Sequence, residues 1–260
     1  MKYSFSYLVK IQFLGFRFSG WQKQTNSKTL HDIVDKSLSF VFEHFDFKTI
    51  GVGRTDAKVS ANCYYFHLFI DERIEEKYFI ESFNRNLPND FRVVSINIVQ
   101  EKFNIINAPK IKEYHYYFSY GGKNHPFSAP FIVGVLDNLD IDLMKEGAKL
   151  FEGEHYFNKF CTKPSGNTIF KRIIDSSEIV ENNILKASFF PQKSYIFKVK
   201  GKGFLRYQIR LMMAVLFELG KGNIELDFIK SSLKEDNDKK FLKNIAPGSG
   251  LQLFDVSFCN

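Results

Sequence analysis

Gly51-Val52-Gly53-Arg54-Thr55-Asp56-Ala57-Lys58-Val59-Ser60-Ala61 lies between an apolar lead-in, Thr49-Ile50, and the apolar run Cys63-Tyr64-Tyr65-Phe66-His67-Leu68-Phe69-Ile70. Two glycines let the backbone turn sharply or lie close to another group. Arg54 and Asp56 are two apart, so an extended backbone projects both from one face. That placement suits a carboxylate held ionised and aimed for nucleophilic work. It equally describes a turn with a surface ion pair, since Asp and Arg are common in such turns. Spacing by itself leaves both readings open.

Upstream, Tyr3, Phe5, Tyr7, Val9, Ile11 and Phe13 alternate with polar residues, the pattern of a half-buried strand. A polar loop containing Gly15, Gly20 and Trp21 follows. Thr29 and Asp32 read as a capping box, and the apolar spacing of Leu30, Ile33, Val34, Leu38 and Val41 predicts a helix over 29–44. Downstream, a strand is expected at 62–70, a helix at 74–86 and a strand at 92–99. Strand and helix alternate here as in an α+β unit with helices on one sheet face. The chain is expected to cross between halves near Asn107-Ala108-Pro109-Lys110, giving a 1–107 half and a 108–260 half.

In the second half, Lys112–Tyr120 is an aromatic strand with Tyr114, Tyr116, Phe118 and Tyr120 on one face, a pattern that core packing explains for most of the rings. A helix is expected at 140–151, a helix end packing two rings at 153–160, and strands at 172–180, 184–190 and 194–200. The run Phe204–Gly220 is apolar nearly all round and reads as one buried helix, with Gly220 as its C-cap. Arg210 inside it is a buried charge in need of a carboxylate. A short helix at 225–233, a charge run at 234–240 and a last strand at 251–258 complete the chain.

Composition narrows the function classes. The 260 residues carry a net charge of +7, compatible with an anionic partner such as RNA. With 30 Phe and 12 Tyr, most rings must be core, leaving a few as stacking surfaces. The three cysteines, Cys63, Cys161 and Cys259, are odd in number and far apart, which points to a reduced, cytoplasmic chain without disulfides or zinc. No apolar run approaches the ~18 residues of a membrane span, and no signal-peptide core opens the chain.

Gly53-Arg54-Thr55-Asp56-Ala57 resembles the signature of the TruA-type tRNA pseudouridine synthases. Gly20-Trp21-Gln22-Lys23-Gln24, Tyr114-His115-Tyr116, Gly153–Phe160, Phe204–Arg210 and Ala246–Val256 are similar to further segments of that family, in family order. The resemblance implies an α+β pseudouridine synthase fold, with two sheet-and-helix halves forming a long mixed or antiparallel sheet around a central RNA-binding cleft. It implies an isomerase converting uridine to pseudouridine in the anticodon arm of tRNA, without metal or organic cofactor. Asp56 is then the essential carboxylate, Arg210 its partner, and Tyr114 the ring beside it that stacks on the base. Arg54 contacts backbone phosphate or assists base flipping, and Leu251 and Leu253 line the base pocket; Lys58, which replaces a family glycine, is expected to add a phosphate contact at a shifted position. RNA, with tRNA foremost, is the expected partner, and the expected assembly is a homodimer with no membrane association.

Four positions depart from the family pattern: Leu14 where an acid is usual, Lys58 for a glycine, Ser60 for a histidine and Ile106 where a base-displacing arginine is usual. With Ser60 and Ile106 unable to make charge-assisted phosphate contacts, a preference for uridines in loops or otherwise already unstacked is expected. Competing readings are a non-catalytic RNA-binding protein on the same fold, a synthase acting on another RNA, and a basic structural protein with no RNA role.

Overall fold

A computed structural model describes residues 3–235, 242 and 244–259. Most of the charge run expected at 234–240 lies outside the described residues. The chain is mixed α/β, with ten strands, mostly antiparallel, and five α-helices among the described residues. It divides into two compact units, Met1–Lys110 with Leu253–Asn260, and Ile111–Gln252.

The first unit is built on β1 (Phe5–Phe13), α1 (Leu30–Phe42), β2 (Phe47–Gly51), β3 (Ser60–Ile70), α2 (Glu76–Asn86) and β4 (Phe91–Ile98). Its strands run in the order β4-β1-β3, with β2 also on β3. The terminal strand, Leu251–Phe258, begins in the second unit and brings its last residues beside β3. The alternation of β1 is realised: Tyr7, Val9, Ile11 and Phe13 are buried. Because β3 is covered on both faces, its sequence is apolar nearly throughout. Tyr64, Phe66 and Leu68 are fully buried, and Phe66 meets Phe83 of α2 edge-on at 6.5 Å. On the opposite face His67 lies against Phe69 and Phe103.

Helix starts follow chemistry that the sequence only half reveals. The α2 N-terminus is capped by the Glu75 carboxylate, which accepts from the N–H groups of Lys77 and Tyr78. Thr29 precedes α1 but makes no side-chain cap, so the expected capping box does not form. Its hydroxyl is buried without a partner among the described residues. The helix stops at Phe42, where Glu43 takes a left-handed φ of 62°.

His67 is 1% exposed, and its Nε2 has no hydrogen-bond partner among the described residues. Burial pushes the imidazole pKa from 6.5 down to about 4. The folded state therefore holds fewer protons than the unfolded chain between those values, so this contribution to stability is lost as pH falls from about 6.5 to 4. The full loss is about 3 kcal/mol. His67→Leu is expected to remove that part of the acid limb. Urea midpoints at pH 7 and pH 4 measure it, and equal acid sensitivity in parent and variant would contradict it.

The second unit contains β5 (Lys110–Tyr120), β6 (Val133–Val135), α3 (Ile141–Lys149), β7 (Gly153–Tyr156), β8 (Lys171–Glu181), β9 (Tyr195–Gly201), α4 (Gln208–Gly220), α5 (Leu226–Ser232) and only the first two residues of the terminal strand, β10 (Leu251–Phe258). Strands β5, β9, β8 and β7 are neighbours in that order, with β6 parallel to β5. Phe217 of α4 packs edge-on against Tyr116 and Phe118 of β5. Where α3 meets α4 the side chains are small by necessity. A Cβ on Gly147 would stand 2.4 Å from Leu219, and one on Gly220 would stand 2.5 Å from Met144 Sδ. Gly220 is thus a close-packing residue inside the helix rather than its C-cap.

Three further expectations are corrected here. Residues 184–190 form no strand, because the Asn182 side chain binds the main chain of Ile184 and Leu185 in place of a ladder partner. Residues 153–156 are strand β7 rather than a helix end, although Phe157 and Phe160 do pack together. Helix α4 begins at Gln208, four residues later than the apolar run suggests. Tyr207 is left-handed (φ 64°), and the Gln208 side chain accepts from the Leu205 N–H.

Candidate active site

Asp56 sits on the loop between β2 and β3, half-buried, with exposed Arg54 and Lys58 on either side. Two main-chain carbonyls of this loop are held from outside it. The Tyr64 hydroxyl donates to Gly53 O at 2.5 Å, and the Trp21 main-chain N–H donates to Thr55 O at 3.2 Å. Lys58 N–H donates to Phe18 O at 3.0 Å. The first loop approaches so closely that only glycine fits. A Cβ on Gly20 (φ +89°) would lie 2.4 Å from Thr55 O, and one on Gly15 would overlap Val59 O.

Lys58 adopts a left-handed φ of 67°, which explains why glycine is at home in that place of the signature. Its ammonium lies 5.5 Å from the Phe16 ring centre, an exposed contact worth about 0.5–1 kcal/mol. The backbone strain costs about 1–2 kcal/mol. Lys58→Gly is expected to leave folding stability within about 0.5 kcal/mol of the parent, because relief of the strain is offset by the lost ring contact and by the added freedom of the unfolded chain. A urea midpoint shifted by more than that in either direction would contradict this balance. Ser60, the other departure beside Asp56, is buried, and its hydroxyl accepts from the Gly15 N–H at 2.9 Å. It fastens the first loop to the signature loop and is not presented to solvent.

In the second unit Tyr114 is buried on β5 with its ring edge-on to Phe204 at 5.2 Å. Arg210 is half-buried, contrary to the expectation of full burial. Its Nε donates to Ala246 O at 2.7 Å, and Cζ lies 4.9 Å from the Tyr207 ring centre. The Ala246 N–H returns a bond to Arg210 O at 3.2 Å. Tyr116, beside them, donates to Pro247 O at 2.9 Å. Burial raises its pKa strongly, keeping the phenol protonated as a donor. Leu251, in this unit, and Leu253, in the first, are buried core positions of β10.

The structure therefore gathers Arg54, Asp56 and Lys58 on one pinned loop of the first unit. Arg210 shares its surroundings with Tyr207 and Ala246, and Tyr114 with Phe204, in the second. Phe204, Tyr207 and Ala246 lie in segments that stand out in the sequence, but the sequence alone gives none of them a role at the site. The i,i+3 spacing of Tyr207 and Arg210 was the available signal for Tyr207. Ile106 is exposed on a turn whose carbonyls at 105, 106 and 108 all accept from Lys110 Nζ, at 2.8, 2.8 and 3.0 Å. Among the described residues no group of three His, Cys, Asp or Glu side chains is placed to hold a metal ion, and no helix is long and apolar enough to cross a membrane.

A family model described as tRNA pseudouridine synthase matches residues 148–259. Among curated proteins, the tRNA pseudouridine synthase A of Exiguobacterium sibiricum is 30% identical over 248 residues, covering 95% of this chain and 94% of that protein. The enzyme of the same name from Fervidobacterium nodosum is 30% identical over 254 residues, 96% and 98% of the two chains. That of Ligilactobacillus salivarius is 29% identical over 252 residues, 96% and 95%.

Proposed function

The chain belongs to the tRNA pseudouridine synthase A family, and we propose that Asp56, Tyr114 and Arg210 carry out its reaction on a uridine of the tRNA anticodon arm. The protein is an isomerase that converts uridine to pseudouridine in tRNA. The N1–C1′ bond breaks, a C5–C1′ bond forms, the C5 proton leaves and N1 gains one, so the reaction is redox-neutral. Asp56 serves as the nucleophilic or ribose-activating carboxylate. Arg210 supplies a fixed cation for the negative charge of the reacting groups, and Tyr114 stacks on the displaced base. Arg54 and Lys58, both exposed, contact phosphate, while Leu251 and Leu253 shape the base pocket. The observation that carries this reading is the whole-length likeness to named synthases, with the Gly53–Ala57 signature intact. We place the enzyme in the cytoplasm as a homodimer.

Release of tritium from tRNA labelled at uridine C5 tests the reaction, and its absence with folded protein would leave a non-catalytic RNA binder. Sedimentation tests the dimer. The exposed Ile106, on a turn tied by Lys110, offers the RNA an apolar wedge in place of a cation. A uridine in an unpaired loop is therefore expected to react faster than one in a stable stem, because unstacking costs a few kcal/mol. Competition between two such RNAs measures this, and faster reaction in the stem would overturn it.

A further inference from the structure

We propose that Tyr64, Trp21 and His31 form an aromatic clamp that positions the Asp56 carboxylate for reaction, making all three positioning residues. The inference rests on Asp56 being the reacting group. Val59 N–H donates to Asp56 O at 3.3 Å. Two bonds from outside fix the carbonyls that bracket Arg54, from the Tyr64 hydroxyl to Gly53 and from the Trp21 main chain to Thr55. The residue after the second of these carbonyls is Asp56.

Both donors belong to one stack. The Trp21 ring lies 4.3 Å from the Tyr64 ring and 5.1 Å from the His31 ring, nearly parallel to the latter at 14°. The His31 main-chain N–H also donates to Trp21 O at 3.1 Å. A polar chain anchors the outer end of the stack. His31 Nε2 is 2.7 Å from Thr49 Oγ1, that hydroxyl donates to Asp35 Oδ1 at 2.5 Å, and Lys23 pairs with Asp35 at 2.6 Å. Since the hydroxyl proton goes to Asp35, Thr49 accepts from His31, which fixes the imidazole with its proton on Nε2. Gly51 makes room for the stack: a Cβ there would lie 2.2 Å from the Tyr64 hydroxyl and 2.5 Å from Trp21 Nε1. A loop held at one carbonyl by the Tyr64 hydroxyl and at the other by the main chain of the stacked Trp21 keeps the carboxylate within the narrow geometry that reaction demands.

Tyr64→Phe removes one oxygen and leaves the stack. It is expected to lower kcat at least tenfold with KM for tRNA within about twofold, assayed well below the melting temperature; tenfold corresponds to about 1.4 kcal/mol of barrier. A merely structural hydroxyl would lower the melting temperature and leave kcat unchanged, and that result would overturn the proposal. His31→Ala is expected to lower kcat likewise and His31→Gln, which keeps a donor toward Thr49, to restore most of it. This pair decides the matter should Tyr64→Phe not fold. Trp21 is the chain's one tryptophan, so its fluorescence reports the clamp directly. The expected result is a shifted emission in His31→Ala that returns in His31→Gln. Asp56→Asn serves as the reference: if it stays active, the assignment of the carboxylate fails, and if it is dead while Tyr64→Phe and His31→Ala keep full kcat, the clamp alone fails.

Discussion

Asp56→Asn is expected to abolish pseudouridine formation while leaving the protein folded. The substitution keeps the size and planarity of the side chain and removes its charge, so the amide can neither attack nor activate the ribose. A loss of at least 1,000-fold is expected, about 4 kcal/mol of barrier. The protein should stay folded, because the loop is held through main-chain atoms. Tyr64 and Trp21 bind the carbonyls of Gly53 and Thr55, and Val59 binds the main-chain oxygen of Asp56. tRNA binding should weaken only modestly, since the phosphate contacts are assigned to Arg54 and Lys58. The decisive measurement is tritium release under single-turnover conditions beside a melting curve. Activity within tenfold of the parent would end the assignment.

Much of the fold is legible because its signals are local. The alternation of Tyr7, Val9, Ile11 and Phe13 gives β1, and the long apolar run from Cys63 to Ile70 gives the doubly covered strand β3. Strand β2 escaped because, of its five residues, only Thr49 is buried, and that one is polar. The stretch 184–190 misled in the opposite direction. Its apolar residues Leu185 and Phe190 pack on Tyr117, Ile132 and Ile196 from a loop, which needs burial but no ladder. At the site, Asp56 and Arg54 were legible as a motif. The clamp was not, because Trp21, His31 and Tyr64 come from three different elements and meet only in the folded unit. Ser60 shows the same limit: by type it passes for a surface residue, yet its hydroxyl is spent on Gly15.

Arg210→Leu is expected to lower kcat at least 100-fold, about 2.7 kcal/mol of barrier, with a smaller effect on the fold than its apolar surroundings in the sequence suggest. An arginine in the middle of a buried helix would cost about 3–5 kcal/mol to strip of its partner. Helix α4 begins at Gln208, however, so Arg210 stands in its first turn, half-buried rather than enclosed. Leucine forfeits the Nε bond to Ala246 O and the face of Tyr207. A charge-assisted bond of that kind contributes about 1.5–3 kcal/mol, and the gain in apolar contact offsets part of it, so a net loss of about 1–2 kcal/mol is expected. Arg210→Lys separates charge from shape. Lysine keeps the cation but not the planar fork that holds one direction fixed. It should therefore recover most of the stability and only part of kcat, giving the order Arg, Lys, Leu in rate. Tritium release and urea midpoints for both variants measure the two effects independently. A leucine variant with parental kcat would remove Arg210 from the reaction, and a lysine variant with parental kcat would show that charge alone suffices.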